Sequence, residues 1–320
     1  MRVFCSGFNL YGQFIKCPTL IIEEFVDYSC NATLFEPSHT FNLAVTSDGV
    51  YVHGSKNDKT HQVQKIINPG FDIKQVACFD TKILILYKNG DLFKCDFNTG
   101  ALTYINKNMK KVSCNATVNI ALSNDGSVFN LPSEIHFTNN GITDVASGRE
   151  HYLMLDKIGK VYTCGRGSRG QLGHGDLEDE LEPKIVEALD GIKIDKIAAG
   201  GWHSCAISAQ GDLYVWGWNG NGQLGLYNNA KESISVMAVP QVVNFDDQDA
   251  NIMAVACGHR HTIALLDDKR LYGTGWNRYC QLGKVTQETN LYRFEVICDL
   301  RNLDVKELKC GPWSSLVICL

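Results

Sequence analysis

The sequence predicts an all-β fold, a seven-bladed β-propeller of about four-stranded antiparallel blades, its ring closed by N- and C-terminal strands that share one blade. Three observations predict it. An apolar residue followed by small residues and a turn recurs with anchors at Phe35, Val76, Val112, Val145, Ile197, Val255 and Leu308. Sharing 320 residues among seven such units gives about 46 each, the period of propeller repeats with four strands per blade. No long segment with helical periodicity competes.

The clearest copies of the first strand and its turn are Val145-Ala146-Ser147-Gly148-Arg149-Glu150-His151, Ile197-Ala198-Ala199-Gly200-Gly201-Trp202-His203, Val255-Ala256-Cys257-Gly258-His259-Arg260-His261 and Leu308-Lys309-Cys310-Gly311-Pro312-Trp313-Ser314. The second strand ends at Asp48-Gly49, Asn89-Gly90, Asp125-Gly126, Gly159, Gln210-Gly211 or Asp268-Lys269. Such pairs signal hairpins, and a type I′ turn with positive φ at both central positions is expected. Third strands follow, as at Val161-Tyr162-Thr163-Cys164 and Leu213-Tyr214-Val215-Trp216, then loops at Gly7 to Phe14, Gly165 to Gly173, Gly217 to Gly225 and Gly275 to Gly283. Pro183 and Pro240 introduce fourth strands, which proline restricts to the sheet edge. Leu308 to Leu320 supply two strands and Val3 to Gly7 a third, so one blade takes both ends and no edge is left open. The expected units within the single 1–320 domain are 303–320 with 1–22, 30–67, 73–105, 109–138, 142–186, 194–243 and 252–296.

Composition narrows the function classes. A hydrophobic content of 44% excludes disorder, and no apolar run approaches the roughly 20 residues of a membrane helix. The first residues lack the apolar core of a secretory signal, and the 13 cysteines are an odd number without a Cys-x-x-Cys pair. A reducing compartment is expected, neither secreted nor membrane-bound. A net charge of −5 gives nucleic acid no attracting field, so direct binding to it is not expected.

Three segments go further than period alone. Gly217-Trp218-Asn219-Gly220-Asn221-Gly222-Gln223-Leu224-Gly225, Gly200-Gly201-Trp202-His203-Ser204 and Gly165-Arg166-Gly167-Ser168-Arg169-Gly170-Gln171-Leu172-Gly173-His174-Gly175 resemble the repeats of the regulator of chromosome condensation family. The resemblance implies a seven-bladed propeller. It is specific over residues 142–320 and at Gly7 to Gln13, and from 30 to 140 only the phase remains. Leu177-Glu178-Asp179-Glu180-Leu181-Glu182-Pro183 and Cys310-Gly311-Pro312-Trp313 are similar to the stand-alone domain-containing member of that family, whose partner is a Jumonji-C-type lysine demethylase or hydroxylase. The resemblance thus implies a non-enzymatic interaction scaffold in chromatin regulation, associated with histones through its partner, in the nucleus and also the cytoplasm. The alternative it implies is guanine-nucleotide exchange on a small GTPase. Arg149-Glu150, Gly201-Trp202 and Pro312-Trp313 replace the Gly-Asp-x-His turns of the exchanging member, which argues against that role.

Candidate partner-binding residues are Arg149, Glu150, Trp202, His203, His259, Arg260 and Trp313, with Asp80 in the third repeat. All precede or open the second strand, so they should emerge on one face, and Trp with Arg is the chemistry of interface anchors. Trp218, Trp276 and Phe8 are expected to pack between blades. His39, His151, His203 and His261 are read as one repeat position, with His259 beside His261. Equivalent positions lie around a ring, too far apart for shared metal bonds of about 2 Å, so they should tie the turns and no metal is expected. Gly165-x-Gly167-x-x-Gly170 matches a dinucleotide fingerprint by letter, but more loop follows where a helix is required, so no cofactor is expected. Cys78, Cys114, Cys257 and Cys310 fill a slot for a small side chain near the axis. Glu178, Asp179, Glu180 and Glu182, like Asp246, Asp247 and Asp249, read as solvated loop charges. No catalytic constellation stands out.

Overall fold

A computed structural model describes residues 1–14, 17–28, 31–56, 59–67, 72–226, 234–245 and 251–320, so Asp246, Asp247 and Asp249 lie outside the described residues. Its strands form seven four-stranded antiparallel sheets. The first blade takes β1 (Arg2–Phe8) and β2 (Ile21–Asp27). The second holds β3 (Leu34–Pro37), β4 (Phe41–Val45), β5 (Val50–Lys56) and β6 (Lys59–Ile67), and the third β7 (Ile73–Phe79), β8 (Lys82–Tyr87), β9 (Leu92–Asp96) and β10 (Leu102–Asn106). The fourth has β11 (Met109–Cys114), β12 (Asn119–Ser123), β13 (Val128–Asn130) and β14 (Ser133–Ile135). The fifth has β15 (Ile142–Ser147), β16 (His151–Asp156), β17 (Val161–Gly165) and β18 (Glu180–Ile185). The sixth has β19 (Ile194–Ala199), β20 (His203–Ser208), β21 (Leu213–Trp218) and β22 (Val236–Val242), and the seventh β23 (Ile252–Cys257), β24 (His261–Leu266), β25 (Arg270–Trp276) and β26 (Asn290–Asp299). The chain then returns to the first blade as β27 (Val305–Cys310) and β28 (Ser314–Cys319), giving the order β27-β28-β1-β2.

The ring closes in register, Arg2 opposite Cys319 through Gly7 opposite Ser314. Each repeat anchor lies on the first strand of its blade. These strands surround a central cavity of about 170 Å³ whose lining includes Cys78, Cys114, Cys257 and Cys310 together with Ser147 and Ala199. The small-residue slot near the axis is therefore real. Pro183 and Pro240 sit inside β18 and β22, both outermost strands.

Burial follows the blade boundaries. One apolar cluster forms between the fifth and sixth blades, where Leu153, Leu155 and Val161 meet Ile194, Ile197 and the fully buried Trp216. Another joins the first and second, where Val3, Cys5 and Leu316 meet Phe35 and Ala44. Each blade thus buries its faces only against its neighbours, which makes a complete ring the stable unit.

The hairpin turns between second and third strands differ from the expected type I′. Five turns have a single residue with positive φ, Gly90, Gly126, Gly159, Gly211 or Lys269, and the Asp48-Gly49 turn has none. The amide of Gly159 donates to Asp156 O (3.1 Å) while Asp156 N donates to Lys160 O (3.0 Å), and Ser208, Gly211 and Asp212 repeat the pattern. This is a type I turn closed by a left-handed residue. The preceding Asn or Asp stays right-handed because its carboxyl or amide oxygen caps the turn, as when Asp125 Oδ1 accepts from Ser127 N at 3.1 Å.

Candidate functional site

The turns between first and second strands, and the loops between third and fourth, emerge at the same end of the ring. Glycine makes them meet. Gly217 ends the straight part of β21 at φ 106°, and a Cβ there would stand 2.6 Å from Trp202 O. Without that methyl, Trp218 N donates to Trp202 O at 2.8 Å. The same contact recurs from Phe8 N to Trp313 O (3.0 Å), Arg166 N to Glu150 O (3.0 Å) and Trp276 N to Arg260 O (2.8 Å). The turns are also linked around the axis. Thr117 N donates to Arg149 O (3.2 Å), Arg149 N to Gly201 O (3.2 Å), Gly201 N to Gly258 O (3.1 Å) and His259 N to Pro312 O (3.3 Å).

On this scaffold the side chains stack alternately. Arg149 lies 5.1 Å from the Trp202 ring centre. Arg169 lies 4.5 Å from Trp202 and 4.9 Å from Trp218. Arg260 lies 5.2 Å from Trp218, 5.6 Å from Trp276 and 5.9 Å from Trp313. The indoles meet edge to face, Trp202 with Trp218 at 5.7 Å and Trp276 with Trp313 at 4.7 Å. Tyr279 and Phe8 extend the band toward His39. All four tryptophans and three arginines are half-buried. Burial and the neighbouring Arg169 and Arg149 pull the Arg260 pKa down, and its Nε is buried without a hydrogen bond.

Glu150 is already engaged. It accepts from Trp202 Nε1 (3.2 Å) and from Arg166 (3.2 Å). Among the described residues no carboxylate stands in ion-pair reach of Arg149, Arg169 or Arg260. His259 belongs to the floor of this face, between Trp313 (5.2 Å), Phe79 (6.0 Å) and Trp202 (6.3 Å), and burial lowers its pKa to about 3. It also lines the central cavity with Gly258 and Pro312.

His39 does not share the repeat position of His151. The register pairs Pro37 with Asn42 where the fifth blade pairs Ser147 with Tyr152, so Phe41 fills the histidine place and His39 corresponds to Arg149. Trp218 and Trp276 do pack across blade boundaries, Trp218 against Arg169 and Arg260 and Trp276 against Trp313, but the glycine contacts place this packing on the open face beside Trp202 and Trp313. Asp179 is exposed yet structural, its Oδ1 accepting from Gly167 N at 2.9 Å. Asn9, Asn219 and Asn277 occupy the place of Gly167 in other loops and close them with their own amides.

His203, assigned to the face by its position, points inward instead. It is fully buried, and its Nε2 lies 2.9 Å from Thr262 Oγ1 in the next blade. His151 with Ser204 (2.9 Å) and His261 with Ser315 (3.0 Å) make the same bridge. These histidines tie blades together more than they tie turns. The His–Ser pairs carry no catalytic triad: the Nδ1 of each ring has no partner, and Ser204 donates to Gln171 O at 2.9 Å.

Arg169 was invisible to position counting on the short turns. It sits two residues before Gln171, whose Oε1 accepts its N–H at 2.9 Å, and Gln13, Gln223 and Gln281 hold Tyr11, Asn221 and Tyr279 in the same way. That spacing was the available signal.

Family models for the regulator of chromosome condensation (RCC1) repeat match residues 159–207 and 210–265, and a second RCC1 repeat model matches 142–171, 194–223 and 253–281. Together these matches run over residues 142–281. The human RCC1 domain-containing protein 1 is 37% identical over 204 residues, 53% of this chain and 54% of that protein. The ultraviolet-B receptor UVR8 of Arabidopsis thaliana is 41% identical over 150 residues, 47% of this chain and 33% of its own length. The chain spans about half the length of the RCC1 domain-containing protein 1 of human and mouse. Prp20p of Saccharomyces cerevisiae superposes with a TM-score of 0.83 at 18% identity, covering 100% of this chain and 91% of its own. Human WBSCR16 does so at 0.82 and 16% identity, covering 99% and 98%. These structures share the propeller fold across the whole ring, including the blades before residue 142 that the repeat models do not match.

Proposed function

We propose that this RCC1 propeller is a non-enzymatic scaffold that binds a partner protein through its Arg–Trp face, and that the partner is a Jumonji-C-type demethylase or hydroxylase acting in chromatin, in the nucleus. One observation carries the choice of face: Arg149, Arg169 and Arg260 are stacked on indoles with no carboxylate of the described chain to neutralise them. Half-buried cations stacked on tryptophan are costly to leave bare and well suited to fix an acidic surface. The likeness to RCC1 domain-containing protein 1 supports a chromatin role, and the resemblance of Leu177 to Pro183 and Cys310 to Trp313 to the stand-alone member supports the Jumonji-C partner.

The test is co-purification from native extract with wild type and with Arg149→Ala, Arg260→Ala and Trp313→Ala. Loss of a Jumonji-C oxygenase from the variants, each still folded and melting cooperatively, is the expected result. Retention by all three would move the site to another surface. Guanine-nucleotide release from a panel of small GTPases is the second arm, and stimulated release would replace the scaffold reading.

A further inference from the structure

One buried cluster outside the Arg–Trp face combines three metal-ligating side chains: His203, Cys205 and Cys257, whose ligand atoms all lie within 4.8 Å of one another. The topology explains the cluster. His203 and Cys205 are alternate residues of β20 and so project to one side, toward the seventh blade. Cys257 ends β23, the inner strand of that blade, and its sulfur lies 3.4 Å from the Cys205 sulfur.

The hydrogen bonds settle which imidazole nitrogen is open. Thr262 has one hydroxyl proton and donates it to Gln223 O at 2.7 Å. Its oxygen must therefore accept from His203 Nε2, which carries the ring proton. Nδ1 is then the lone-pair nitrogen, buried beside the Cys257 thiol. His151 is in the same tautomer, because Ser204 donates to Gln171 O. Its counterpart positions hold Leu153 and Ala199, however, and those of His261 hold Ile263 and Cys310. Among these three inter-blade histidines, His203 alone meets two thiols.

We infer that His203 Nδ1, Cys205 Sγ and Cys257 Sγ form a three-coordinate site for a thiophilic d¹⁰ ion, Cu(I). Two soft sulfurs and one imidazole in a closed environment suit Cu(I), whereas zinc in proteins is almost always four-coordinate. The Thr262 and Gln223 O chain is the outer shell that fixes ring tautomer and orientation. Cys257 lines the central cavity, which gives the ion a path. Each thiol that coordinates releases its proton to solvent, so binding strengthens as pH rises.

The experiment is an anaerobic titration of the reduced full chain against Cu(I) held by bathocuproine disulfonate, with Zn(II) in parallel and X-ray absorption of the loaded protein. One equivalent should leave the chelator and show two sulfurs and one nitrogen. Cys257→Ala and Cys205→Val use side chains that the fold accepts, since Ala199 fills the first position in the sixth blade and Ile263 the second in the seventh. Both should abolish that equivalent with an unchanged melting temperature. Thr262→Val should weaken it about 10–100-fold as an outer-shell change. Copper left wholly on the chelator, preference for Zn(II), or an equivalent retained in Cys257→Ala would overturn the assignment.

Discussion

The Arg169 guanidinium lies 4.5 Å from the Trp202 ring and 4.9 Å from the Trp218 ring, so a cation from the fifth blade bridges two indoles of the sixth. Each such contact is worth about 0.5 to 2 kcal/mol, depending on how dry it is. Arg169→Ala should therefore lower urea-unfolding stability by about 1–2 kcal/mol and weaken partner binding. Arg169→Lys should recover the charge but only part of the binding, because an ammonium lacks the planar stacking surface. An alanine variant with wild-type stability and affinity would contradict this.

A second prediction concerns the inter-blade bridges. Ser315 Oγ lies 3.0 Å from His261 Nε2, and both residues are fully buried. Ser315→Ala leaves the ring nitrogen without a partner, and an unsatisfied buried polar group costs about 1–3 kcal/mol. Chemical denaturation should show that loss with an unchanged m-value. A smaller loss would mean that the blade boundary relaxes around the ring.

Acid should act on two of these bridges, those of His151 and His261, and on His259 in the floor of the face. Burial lowers the pKa of His151, His259 and His261 to about 3, against about 6.5 for an exposed histidine. Between those values the unfolded chain binds protons that the folded chain does not, so stability falls as pH drops from about 6.5 toward 3. The slope approaches roughly 1.4 kcal/mol per pH unit for each histidine. Urea midpoints at pH 7, 6 and 5 should decline stepwise, and His151→Gln should flatten the decline. A flat profile over that range would refute the account.

The blade count was legible because one small-residue position must recur wherever a strand lines the narrow axis, and Cys78, Ser147, Ala199, Cys257 and Cys310 all meet that demand. Trp202, Arg260 and Trp313 were legible on the face because they follow that position by a fixed number of residues. Arg169, Trp218 and Trp276 were not. They come from the loops between third and fourth strands, and the bulge at Gly165, Gly217 or Gly275 turns those loops onto the face. His39 was misplaced because the turn in the second blade holds a histidine at the position of Arg149, a coincidence of letter that only strand register exposes. The tautomer of His203 depends on a threonine of the next blade, 59 residues away, and no local pattern carries it.

Ring closure gives the last prediction. β28 pairs with β27 on one side and β1 on the other, so it is the seam through which the two ends of the chain share a sheet. Deleting the last 15 residues should leave Val3, Cys5 and Phe35 without Leu316 and open β1 as an unpaired edge, giving an aggregating product. Because deletion can fail for trivial reasons, Leu316→Ala tests the same seam in a full-length chain. Leu316 is 0% exposed, and truncating a buried leucine costs about 2–5 kcal/mol. A soluble deletion product that melts cooperatively, or a Leu316→Ala variant as stable as wild type, would show that the first blade holds together without this strand.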